Sequence, residues 1–98
     1  MKASPFSMTG KTVVITGGGG LLGFHHAAAV AAFGAQPLLL DVNSNGIEVN
    51  LDKLSIEFGR RFAGYEADVT SEVSLRDAAK GIYRKFGRVD VLINNAAR

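Results

Sequence analysis

The chain has 98 residues, 47% of them apolar and 20% charged, an ordinary globular balance that excludes a disordered segment and fits one small domain with a modest core. Its 11 basic and 9 acidic side chains leave a formal charge of +2, and no basic run tracks a phosphate backbone, which argues against nucleic acid as a partner. Cysteine is absent, so disulfides, thiolate zinc sites and a catalytic thiol are excluded together, in keeping with a cytoplasmic location.

The N-terminal MKASPFSMTG lacks the apolar core of a secretory signal. Residues 12–16 (TVVIT) then form the first β-rich run. A helix is expected over residues 21–33, followed by a second run at 36–41 (QPLLLD). The apolar stretch 21–40 could pass for a membrane span, but His25, His26, Gly34, Gln36 and Pro37 interrupt it, and no membrane association is expected. His25 and His26 are neighbours on a helix and point in different directions, so they cannot share a metal, and no metal is expected.

Next, Ile47, Leu51, Leu54 and Phe58 form one stripe of a second helix, with Glu48, Asp52 and Glu57 on a solvated face. Asn45 and Glu48 have capping-box spacing at its start. A third run is expected over 62–68, and Thr70 or Ser71 can cap a third helix carrying Leu75, Ala78, Ala79, Ile82, Tyr83 and Phe86. The fourth run spans 90–94 (DVLIN). Each helix ends in Phe-Gly, at Phe33-Gly34, Phe58-Gly59 and Phe86-Gly87, where glycine closes the helix and the ring is expected to pack on the sheet.

The order β-α-β-α-β-α-β defines an α/β fold with a parallel sheet, because near-continuous apolar strands are covered on both faces. It amounts to about half of a Rossmann-like, doubly wound domain, and the first helix, apolar all round, calls for cover from further elements.

Chemistry concentrates where the first strand ends. Thr16-Gly17-Gly18-Gly19-Gly20-Leu21-Leu22-Gly23 contains G-x-G-x-x-G at Gly18, Gly20 and Gly23, between a strand and a helix, and Asp41 closes the next strand 18 residues after Gly23. Glycines at 17–20 allow a tight turn and close approach of a pyrophosphate, which the helix N-terminus attracts. Asp41 can accept hydrogen bonds from ribose hydroxyls and would repel a 2′-phosphate, so NAD is expected over NADP. A mononucleotide P-loop fails: Gly10-Lys11-Thr12 precedes the strand, and Pro5 stands where that motif needs glycine.

With these residues in view, the chain from about Lys11 to Ala97 resembles the N-terminal half of the short-chain dehydrogenase/reductase family. Asp68-Val69 and the segment Phe86-Gly87-Arg88-Val89-Asp90-Val91-Leu92-Ile93-Asn94-Asn95-Ala96-Ala97 are similar to that family's motifs. The resemblance implies that Gly17, Gly19, Gly20 and the Leu22 N–H approach the pyrophosphate, that Asp41 takes the ribose, and that Asp68 and Val69 take the adenine. It further implies that Asn95 and Ala96 line the cofactor, while Asn94 ties the central strands together.

Two departures stand out. The glycines read T-G-x-x-G-x-x-G, the form of extended nucleotide-sugar epimerases and dehydratases, whereas Asn-Asn-Ala fits the single-domain branch; and Ala97 replaces the usual glycine. The implied activity is NAD-dependent hydride transfer between nicotinamide and an alcohol or carbonyl, by an enzyme that is a homo-oligomer when complete. An extended-type enzyme acting on a nucleotide-sugar and a non-catalytic NAD-binding module stay open as alternatives. The family's catalytic Tyr-x-x-x-Lys has no counterpart here, since Tyr65 is followed at +4 by Val69 and Tyr83 by Gly87. Residues 1–98 are therefore expected to form a partial dinucleotide-binding domain with no catalytic residue of its own and no activity alone.

Overall fold

A computed structural model describes residues 7–95. The elements are β1 (Thr12–Thr16), α1 (Leu21–Ala32), β2 (Gln36–Asp41), α2 (Ser44–Phe58), β3 (Ala63–Glu66), α3 (Glu72–Phe86) and β4 (Val91–Ile93). The four strands make one parallel sheet in the order β3-β2-β1-β4. No helix among the described residues is long and apolar enough to cross a membrane.

Alternate residues of a strand point to opposite faces, and β1 uses both. Val13 and Ile15 join Leu39, Ala27, Ile47 and Leu54 in a core beneath α1 and α2. Val14 faces the other way, joining Leu38, Leu40, Ala78 and Ile82 beneath α3. Each fully buried Ile or Leu of these layers stabilises the fold by about 1.5–3 kcal/mol. Coverage on both faces explains why β1 and β2 are continuous apolar runs with the bounds expected from the sequence.

The other two strands are shorter than expected. The Ala67 N–H still pairs with the Asp41 carbonyl, but the Asp68 N–H turns to the Ser74 hydroxyl at 2.9 Å, which ends β3. Likewise Asp90 pairs with Thr12 and Asn94 bonds through its side chain, so β4 keeps only three ladder residues.

The helix ends agree in part. Ser71 caps α3, accepting from the Ser74 N–H at 3.2 Å. The cap of α2 is Asn43, not Asn45. Asn43 Oδ1 accepts from the Gly46 N–H at 3.0 Å, and Asn45 already lies inside the first turn. The helix starts early because Asp41 Oδ1 accepts from the Asn43 N–H at 3.0 Å, turning the chain straight after β2. Gly34, Gly59 and Gly87 all hold positive φ beyond the helix ends. Phe58 and Phe86 pack on the two cores as expected, but Phe33 is 50% exposed.

Candidate functional site

The sheet's carboxyl edge gathers the residues singled out in the sequence. Thr16 and Gly17 end β1, Asp41 ends β2, Asp68 and Val69 follow β3, and Asn94 and Asn95 follow β4. With the order β3-β2-β1-β4, the connections leave β1 in opposite directions along the sheet, and the crevice between β1 and β4 is the place where such folds bind ligands.

The loop from Gly17 to Gly20 is tightly built. Gly17 sits at φ +67°, where a side chain would strain the backbone, and its carbonyl accepts from the Gly20 N–H at 3.1 Å. A Cβ at Gly23 would overlap the Gly17 carbonyl oxygen, so glycine there lets α1 lie against the loop. Gly20 differs: a Cβ there would meet only the Gly17 oxygen, at an ordinary 3.5 Å. Its other side is open.

Gly20 is also the N-cap of α1, and no side chain caps that helix. Its first turn carries no acidic residue, and Leu21 and Leu22 are largely exposed. The first N–H groups of a helix, among them that of Leu22, lack intrahelical partners and attract an anion. A backbone without side chains, beside an uncapped helix start, fits a pyrophosphate.

Asp41 is tied into this loop. Its Oδ2 accepts from the Gly19 N–H at 2.9 Å, and its Oδ1 accepts from Asn43. The Gly19 N–H is thus directed at the acid, while each carboxylate oxygen keeps a lone pair that could accept from a ribose hydroxyl. Val42 follows Asp41, so no cation stands directly after the acid.

Asp68 Oδ1 accepts from both the N–H and the hydroxyl of Thr70, at 2.9 and 2.6 Å, a local turn that holds the carboxylate beside half-buried Val69. Asn94 and Asn95 both converge on β1. The Thr16 hydroxyl donates to Asn94 Oδ1 at 3.2 Å and accepts from the Asn95 N–H at 2.9 Å, and Asn95 Nδ2 reaches the Gly17 carbonyl at 3.4 Å. The strand-tying role expected of Asn94 is thus shared with Asn95. Ala96 lies outside the described residues.

One residue escaped the sequence reading. Asn50 on α2 is 5% exposed, and its Nδ2 donates to the carbonyls of Gly18 at 2.8 Å and Gly20 at 3.0 Å. The signal was a polar residue on the inward stripe Ile47, Asn50, Leu54.

The fold is an open parallel α/β unit with a glycine loop at the carboxyl edge of its sheet, and the comparisons identify its kin. The sequence profile described as "short chain dehydrogenase" matches residues 11–98. Human 3-hydroxyacyl-CoA dehydrogenase type-2 is 40% identical over 96 residues, covering 98% of this chain and 35% of the relative. The crystal structure of NAD+-bound xylitol dehydrogenase superposes with a TM-score of 0.87 at 34% identity, covering 97% of this chain and 35% of that one. The NADPH-dependent 3-quinuclidinone reductase from Rhodotorula rubra superposes with a TM-score of 0.79 at 35% identity, covering 93% and 38%. This chain belongs to the short-chain dehydrogenase family. It spans about a third of the length of the curated relatives it matches.

Proposed function

We propose that these residues form the NAD-binding portion of an NAD-dependent oxidoreductase that transfers hydride between nicotinamide and a small alcohol or carbonyl compound. The observation that carries the reading is Asp41, held at the end of β2 by the Gly19 and Asn43 N–H groups, with no cation directly after it. Bound NAD would supply the hydride acceptor. Gly17, Gly20 and the Leu22 N–H would bind its pyrophosphate, Asp41 its adenosine ribose, and Asp68 with Val69 its adenine. Asn95 and Ala96 would line the cofactor near its ribose. The resemblance to an NAD+-bound xylitol dehydrogenase supports the dinucleotide, and the NADPH-dependent relative makes Asp41 the point on which the choice of cofactor turns.

Residues 1–98 hold no Tyr-x-x-x-Lys pair and so no proton donor of the family's kind. They act as the partial dinucleotide-binding domain of the enzyme, with the chemistry supplied by residues outside these 98. Titrating the intact protein with NAD and with NADP tests the reading. Tighter binding of NAD is expected, and no binding of either dinucleotide would refute it.

A further inference from the structure

The glycine loop is gripped from below by the second helix. Asn50 donates one N–H of its amide to the Gly18 carbonyl and one to the Gly20 carbonyl. Both acceptors are carbonyl oxygens, so only the NH2 end of the amide fits between them. One turn earlier, Gly46 lies so close that a Cβ there would overlap the Gly19 carbonyl oxygen. The carbonyls of Gly18, Gly19 and Gly20 therefore all meet α2.

A peptide plane that points its C=O one way points its N–H the other. Turning the Gly18 carbonyl down to Asn50 turns the Gly19 N–H toward Asp41, where the 2.9 Å bond is found. The Gly20 carbonyl, which also accepts the first helical bond of α1 from the Phe24 N–H at 3.1 Å, is held from the α2 side by the second amide N–H. We infer that Asn50 is a positioning residue: through the Gly18 and Gly20 carbonyls it sets the peptide orientations of the glycine loop, and thereby the affinity for the dinucleotide. It touches no cofactor atom itself. The inference rests on the dinucleotide-binding reading above.

The test compares Asn50→Leu, which keeps the size but removes both donors, with Leu54→Ala, which empties core on the same helix without reaching the loop. Two quantities are measured on the intact protein well below each variant's melting temperature: the Kd for NAD, and hydrogen exchange at the Gly19 amide without nucleotide. Asn50→Leu is expected to raise the Kd at least tenfold and to speed Gly19 exchange. Leu54→Ala is expected to lower the melting temperature at least as far while keeping the Kd within about twofold. Native-like NAD binding by Asn50→Leu, or an equal loss of affinity in Leu54→Ala, would overturn the inference and leave the proposed function standing. If the unaltered protein does not bind NAD, the proposed function falls and takes the inference with it. Should Asn50→Leu not fold, Asn50→Ser replaces it, with the same expected direction in both measurements.

Discussion

The Asp41 carboxylate accepts a hydrogen bond from the Gly19 N–H at 2.9 Å across the glycine loop. In the proposed function this one acid would serve two purposes, bracing the loop that would hold the pyrophosphate and offering its remaining lone pairs to a ribose. Hydrogen bonds to a charged group contribute about 1.5–3 kcal/mol each.

Removing that acid should therefore act on both parts of the nucleotide. Asp41→Ala is expected to weaken NAD binding by about tenfold to a hundredfold and to narrow or invert the preference over NADP, because the charge that opposes a 2′-phosphate is gone. Parallel titrations with the two cofactors check this. An unchanged preference would remove Asp41 from the ribose position.

The glycines should separate into two kinds. Gly23→Ala places a methyl group on the Gly17 carbonyl oxygen, so α1 must move, at a cost of about 1–3 kcal/mol, seen as a fall in Tm. A side chain at Gly20 meets no close neighbour, so Gly20→Val should melt near the native temperature yet lose NAD affinity. Gly17→Val cannot serve in its place, because φ +67° penalises any side chain there and mixes folding with binding. Thermal melts paired with NAD titrations distinguish the two classes.

Stability should depend on pH through Asp90. The Thr12 N–H, donated to Asp90 Oδ2 at 2.8 Å, and then the Arg88 guanidinium hold this carboxyl below the ordinary aspartate value of 3.8. A carboxyl whose pKa is depressed by folding adds stability above its unfolded pKa and loses it as the pH falls through the folded value. Asp90→Asn should thus lower Tm at pH 7, and the gap from the native protein should close below about pH 4. A gap that persists at pH 2 would show that packing, not charge, ties β4 to β1.

Residues 1–98 expressed alone should reduce no NAD with any alcohol and should self-associate. The described part of β4 pairs only with β1, and beside it Leu92 is 62% exposed, with Tyr83 at 57% and Val91 at 39%. Apolar side chains next to an open strand edge favour association. An alcohol screen and analytical ultracentrifugation check the two halves of the expectation. Turnover abolished by Asp41→Ala would reveal a catalytic group within these residues, and a stable monomer would show that the edge is protected.

What the sequence determined by itself was local or carried by a motif. Thr12–Thr16 and Gln36–Asp41 announce buried parallel strands because both faces must be apolar, and the loop 17–23 with Asp41 marks the candidate nucleotide site because few chemistries need that many glycines ahead of an acid. A cap at Thr70 or Ser71 was legible for the same reason, and the structure assigns it to Ser71, whose bond to the Ser74 N–H spans three residues. Tertiary structure decided the rest. Asn43 displaces Asn45 as the cap of α2 because Asp41 pulls the chain into a turn, and β3 ends early because the Ser74 hydroxyl takes the Asp68 N–H. Phe33, expected against the sheet, is half exposed. Asn50 was invisible because its partners lie 32 and 30 residues away. Spacing along a chain reports which groups can meet within a turn or two, but only folding brings α2 under the glycine loop and gives a buried amide its two carbonyls.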